Sequence, residues 1–176
     1  MKTVTEQLTT YATYHRDRRN IATHFIGIPL IVLATMTMLA RPAFALGGVA
    51  LAPMHVAAAL AALYYLRLDL RLGVAMAALL ALLGYAALAI ASQSTAVWLG
   101  AGIGAFVVGW VFQLVGHVFE GRKPAFVDDL VGLLIGPLFV AAEAGFAVGW
   151  RDELRAAIER VAGPTRGAGD HRVQSI

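Results

Sequence analysis

The chemistry open to this chain rests on histidines set at the edges of apolar segments. His15 and His24 lie in one polar stretch, Tyr14-His15-Arg16-Asp17-Arg18-Arg19-Asn20, which runs into Thr23-His24-Phe25-Ile26-Gly27-Ile28-Pro29. His117 lies in a second, Gln113-Leu114-Val115-Gly116-His117-Val118-Phe119-Glu120, which continues through Gly121-Arg122-Lys123-Pro124-Ala125 to Asp128-Asp129. The sequence between them is nearly all hydrocarbon. Residues three or four apart share a helix face, so His117 stands with Glu120 and Gln113, and His24 with Asn20. Ionisable groups near or inside a membrane are costly and face the protein interior, partnered or functional. Imidazole and carboxylate without sulfur suit iron, zinc or manganese. Two histidines and a carboxylate with open positions form a pattern of non-haem iron(II) oxygenases, and ligation by histidine alone is equally open. Glu120 and Asp128 are candidates to fix imidazole tautomers from behind the ligands.

Each of these residues also has a plainer reading. His15 could be an interfacial, solvated residue. His55 falls near the middle of an apolar run, far from the other two stretches, and is expected to make a buried polar or packing contact. His171 lies in the tail and is expected to do nothing. Asp69 is suited to cap a helix, and Asp128 or Asp129 to cap the segment that follows. Arg122 and Lys123 suit lipid headgroups, or a hold on a substrate carboxylate.

The elements that must position these groups follow from composition. The chain has 176 residues, 59% of them hydrophobic and only 14% charged. A soluble domain carries about 25% charged residues, so an all-α integral membrane protein is expected. It reads as a single membrane domain over residues 1–162 with a disordered tail over 163–176, Gly-rich and polar. No cysteine is present, which excludes disulfides, iron–sulfur clusters and thiolate-bound metal. The net charge of +3 is no nucleic-acid signal, because the bases flank apolar runs, where they encode topology.

Residues 1–20 read as a short interfacial helix, with Tyr11, Tyr14 and His15 on one face. Four spans are expected at about 21–40, 43–66, 72–91 and 96–119. The first, 20 residues long, is too long for a signal-peptide core and long enough to cross. Glycines at 100, 104 and 109 fit small-residue helix packing, and a homo-oligomer stays open. A fifth apolar run at about 130–150 contains Pro137 and Glu143 and reads as a kinked span or a re-entrant pair. Residues 151–162 read as an amphipathic helix with Leu154, Ile158 and Val161 on one side. Counting bases places the ends near Arg16, Arg67 and Arg122 in the cytoplasm. Re-entry of the fifth run keeps the tail's arginines on that side as well. His15, His24, Asp69, His117, Glu120, Asp128 and Asp129 then all fall on the cytoplasmic side at similar depth, which the counting of bases did not require.

The two polar stretches resemble the 2-hydroxy fatty acid dioxygenase family of phytosphingosine metabolism, which has fungal and small bacterial members. The matching pieces are Tyr14-His15, Asn20, Thr23 to Pro29, Gly116 to Ala125, and Pro137-Leu138-Phe139-Val140 with Glu143; Tyr65 to Gly73 match more weakly. Together they bracket most of residues 11–150. The resemblance implies an iron(II)-dependent dioxygenase in which a 2-hydroxy fatty acid and O2 give a fatty acid one carbon shorter. It assigns His15, His24 and His117 to Fe(2+), Asn20, Glu120 and Asp128 to the surrounding catalytic site, and Arg122 and Lys123 to the substrate. It also implies a bacterial inner membrane location (the endoplasmic reticulum for eukaryotic relatives). The chain reads Phe126-Val127-Asp128-Asp129 where relatives often carry Leu-Leu-Asp-Asn, which leaves the role of Asp129 open.

Other classes compete. Membrane di-iron hydroxylases use about eight histidines in clustered boxes, and this chain has five with none three or four apart. A bis-histidine haem protein could use His24 and His117. A small non-catalytic transporter or scaffold could use the histidines and Glu143 structurally.

Overall fold

The computed structural model describes residues 2–46, 49–124 and 129–167. Among them are seven helices: α1 (Val4–Ala12), α2 (Arg18–Leu39), α3 (Pro53–Leu68), α4 (Leu70–Ala91), α5 (Thr95–Glu120), α6 (Gly132–Ala147) and α7 (Asp152–Ala162). Three of them, α2, α4 and α5, are long and apolar enough to cross a membrane; the count reaches four if the bent pair α6 and α7 is taken as one span.

The second expected span differs from its reading. Residues 44–46 and 49–51 are an antiparallel pair of strands, β1 (Phe44–Leu46) and β2 (Val49–Leu51), with Phe44 opposite Leu51. Helix α3 starts only at Pro53, a residue suited to the first helical position because its missing N–H would have no partner there. Its 16 residues rise about 24 Å, short of the hydrocarbon thickness of about 30 Å. His55 therefore sits in the first turn of α3 rather than in mid-span, and its Nδ1 accepts from the Ala52 N–H at 2.9 Å.

The described residues form two compact units, residues 29–110 and residues 1–28 with 111–167. In the first, Asp69 caps α4 by accepting from the Leu72 N–H at 2.9 Å. Gly73 lets α4 meet the end of α3, since a Cβ there would fall within 3.0 Å of the Leu66 backbone. Gly100 and Gly104 face open space, and Gly102 instead takes the close contact, 3.0 Å from Met38 Cγ for an added Cβ. Of the three glycines expected to pack, Gly109 is buried, on the face it shares with Gly102 seven residues before it.

The second unit packs α1 against α6 and α7. A capping box between Thr3 and Glu6 starts α1, and Val4, Leu8, Tyr11 and Ala12 form its buried face. They meet Ile135, Leu138, Phe139 and Ala142 of α6 and Leu154 and Ile158 of α7, which are also buried. Val161 is 73% exposed, so the apolar side of α7 is narrower than expected. Pro137 lies within α6, and the sharp bend comes later: α6 and α7 meet at 116°, with Gly149 and Arg151 at positive φ.

Composition places residue 163 onward in the disordered tail, yet Gly163 and Arg166 are hydrogen-bonded. The Arg166 N–H donates to the Arg16 carbonyl at 2.7 Å, and the Arg18 N–H donates to the Arg166 carbonyl at 3.0 Å. This short parallel bridge straps the loop between α1 and α2.

Candidate metal centre

Apart from Thr37, the buried polar residues among those described gather in the second unit. His15, Arg16, Asp17, Asn20, His24, Gln113, His117 and Glu120 are all buried there. They come from the loop after α1, the first turns of α2 and the last turns of α5.

Helix α1 ends at Ala12, and two turn bonds carry the chain round: the Tyr14 N–H to the Tyr11 carbonyl and the His15 N–H to the Ala12 carbonyl. His15 is thus placed beyond the helix rather than on its face. Its ring lies flat on Tyr11, centroids 4.1 Å apart and planes 3° apart, and its Nδ1 lies 2.7 Å from the Tyr11 carbonyl. Nearly two turns into α2, His24 repeats the arrangement, with Nδ1 2.9 Å from the Asn20 carbonyl. A carbonyl only accepts, so each Nδ1 carries the proton and each Nε2 is left with a lone pair. Backbone carbonyls, rather than the carboxylates expected from the sequence, fix these two tautomers.

The two Nε2 atoms face each other at 3.1 Å. A hydrogen bond between them would require one imidazole to hold two protons. Burial opposes this: it holds the His15 imidazole well below its ordinary pKa, with the neighbouring His24 adding to the effect. A cation shared by both lone pairs resolves the conflict. His117 is the third member. Its ring lies edge-on to both others, at 5.0 Å from His15 and 5.1 Å from His24, and its buried Nδ1 has no hydrogen-bond partner. One nitrogen from each ring lies within 4.8 Å of the others. The donor set therefore fits a single ion held by three neutral imidazoles, with further coordination positions left for other ligands. It does not fit a bis-histidine haem, because a macrocycle cannot pass between rings whose centroids are 5.1 Å apart.

Close approach of α2 and α5 depends on Gly116. A Cβ there would fall within 3.0 Å of both Thr23 Oγ1 and Asn20 Oδ1, and 3.2 Å from His24 Nδ1. Forcing such a group into a packed contact costs about 1–3 kcal/mol. Gly116→Ala is expected to lower stability by that amount and to weaken metal binding by prising His117 from His24. Thermal unfolding and metal titration of the purified variant check both.

Glu120 ends α5 and turns its carboxylate onto the loop that carries His15. It accepts from the backbone N–H of Arg16 at 3.0 Å and of Asp17 at 2.8 Å, from Asn20 Nδ2 at 3.0 Å, and from Arg166 Nη2 at 2.8 Å. Asn20 also donates to the Tyr14 carbonyl at 3.3 Å, which fixes its amide and leaves Oδ1 buried without a partner. Arg16 is buried beside this cluster. It donates to the Ala12, His15 and Gly163 carbonyls and pairs with Glu143 at 3.6 Å. Burial lowers its pKa, and Glu143 and other nearby carboxylates oppose that shift.

Of the remaining residues singled out from sequence, Arg122 is exposed and donates to the Thr13 carbonyl at 3.0 Å. Lys123 is exposed. Asp128 and His171 lie outside the described residues. Sequence reasoning gave no role to Tyr11, Gly116 or Arg166. The four-residue spacing puts Tyr11 on one face with His15 but does not single out its ring or carbonyl as the partner of His15. Arg166 sits in a stretch whose composition carries no such signal.

Fold and site together define an all-helical protein with membrane-type helices and a buried three-histidine centre suited to a metal. The family described as "2-hydroxy-palmitic acid dioxygenase Mpo1-like" matches residues 1–148. The chain is also 34% identical over 155 residues to the 2-hydroxy-palmitic acid dioxygenase MPO1 of Saccharomyces cerevisiae, covering 87% of this chain and 86% of the yeast protein. This chain belongs to the Mpo1-like family. No solved structure matches it.

Proposed function

We propose that the chain is an iron(II)-dependent dioxygenase that shortens 2-hydroxy fatty acids by one carbon. The observation that carries the metal part is the facing pair of His15 and His24 Nε2 atoms, both proton-free because both Nδ1 atoms donate to carbonyls. The substrate class is supported by the family and by the yeast relative's name. His15, His24 and His117 would hold the ion, which when bound supplies a site where O2 and substrate meet.

The overall reaction balances without a co-substrate. The 2-hydroxy acid loses four electrons as C2 becomes a carboxyl carbon and C1 leaves as carbon dioxide. O2 accepts all four, with water as the remaining product. The protein's own groups bind and orient. Asn20 and Glu120 fix the His15 loop against α2 and α5. Arg122 and Lys123 offer positive charge for the substrate carboxylate at the end of α5. The family resemblance assigns Asp128 to the catalytic residues as well. The chain is placed in a membrane, the bacterial inner membrane in this reading, with the site facing the cytoplasm.

Detergent-purified protein loaded with iron(II) is expected to convert 2-hydroxypalmitate and O2 to the C15 acid, read by mass spectrometry, and to leave palmitate untouched. Stoichiometric iron without C15 product would remove the substrate assignment and leave the metal site standing.

A further inference from the structure

The inner face of α5 is a row at helical spacing: Gln113, Gly116, His117 and Glu120. The last three have defined neighbours. Gly116 lies against Asn20, Thr23 and His24, His117 against His15 and His24, and Glu120 against Arg16, Asp17 and Asn20. Gln113 continues the row one turn further into the apolar part of α5. It is only 6% exposed, and its Nε2 has no hydrogen-bond partner. Two buried, unpaired nitrogens therefore stand one turn apart on one face, His117 Nδ1 and Gln113 Nε2.

Buried amides are almost always paired, and an unpaired one costs free energy. In an apolar helix a leucine would pack at this position without that cost, so the amide is expected to have a partner that comes and goes. We propose that Gln113 is a substrate-binding residue whose amide N–H donates to the C2 oxygen of the 2-hydroxy acid. The assignment rests on the three-histidine reading given above. C2 is the carbon that bears the alkyl chain, so its oxygen is the headgroup oxygen nearest the hydrocarbon. A donor set one turn deeper than His117 is placed for that oxygen rather than for the carboxylate, which belongs with the bases beyond Glu120. Gln113 would then separate 2-hydroxy acids from plain fatty acids. A site that hydrogen-bonds a substrate hydroxyl rejects the analogue lacking it, because its own polar group is left unpaired.

The test uses full-length protein loaded anaerobically with cobalt(II), whose visible bands report on ligands at the ion. Wild type, Gln113→Leu and Gln113→Glu are titrated with 2-hydroxypalmitate and with palmitate. Both variants are expected to bind cobalt as wild type does. Their affinity for 2-hydroxypalmitate should fall at least about tenfold, the loss of one buried hydrogen bond, with palmitate affinity in Gln113→Leu unchanged. Wild-type affinity for 2-hydroxypalmitate in Gln113→Leu overturns the proposal. An equal loss for both acids overturns the assignment to the C2 oxygen. Loss of cobalt in both variants would place Gln113 in the hold on the metal and overturns it too. If wild type binds cobalt but does not respond to 2-hydroxypalmitate, the substrate reading itself fails and Gln113 falls with it.

Discussion

Replacing His24 by leucine is expected to abolish iron binding while leaving the metal-free protein as stable as wild type or more so. The two halves of that result come from the same geometry. In the wild type, two neutral imidazoles present lone pairs to each other at 3.1 Å, an arrangement that is unfavourable until a cation lies between them. Removing one ring relieves the repulsion and also removes one of three ligands. Loss of groups that merely orient a ligand costs about 10–100-fold in metal affinity, so loss of a ligand should cost at least about 100-fold. With iron at 100 times its dissociation constant, wild type gains about 2.7 kcal/mol of stability. His24→Leu should gain no more than about 0.4 kcal/mol, as should His117→Leu. Paired unfolding curves with and without iron(II), under argon, read both halves. A variant that unfolds early without metal would instead make the histidine a packing residue.

Glu120→Ala is expected to act in the opposite sense, on the metal-free fold first. One carboxylate collects two backbone N–H groups, the Asn20 amide and the Arg166 guanidinium. Its loss leaves three buried donors and one half-buried cation without their acceptor. Breaking a buried charge pair by removing one partner costs about 3–5 kcal/mol, a large share of the stability of about 5–15 kcal/mol typical of a protein. The His15 loop then loses the carboxylate that ties its backbone to the end of α5, so metal binding falls as a consequence. Glu120→Gln keeps the size and one acceptor but turns an amide N–H towards the donors, and it should lie between the two. Unfolding in the absence of metal, with proteolysis of residues 13–20 as a local readout, separates this clamp from a ligand. If Glu120→Ala unfolds normally but loses iron, the carboxylate acts at the metal.

The histidines were legible because a polar side chain in an apolar run is conspicuous and has few reasons to be there. Helices α2, α4 and α5 were legible for the same reason in reverse, as long apolar runs bounded by charge. The groups that set the tautomers, the Tyr11 and Asn20 carbonyls, are backbone atoms, and nothing in residue type marks them. Strands β1 and β2 were absorbed into an expected span, because a short apolar run reads equally well as strand or helix. The Gly47-Gly48 pair in the sequence and Pro53 after it were the available cues. Arg166 could not be foreseen: its partner Glu120 lies 46 residues away, and its Gly- and Pro-containing surroundings have the composition of a free tail.

The most direct measurement is iron content after anaerobic reconstitution with iron(II) and gel filtration in detergent, in wild type and in His15→Ala, His24→Ala and His117→Ala. A three-imidazole site for a single ion predicts one iron per wild-type chain and none in each variant. Wild-type protein that retains no iron, or variants that all retain it, would contradict the account, and the histidine cluster would then be a structural feature of a non-catalytic membrane-type protein.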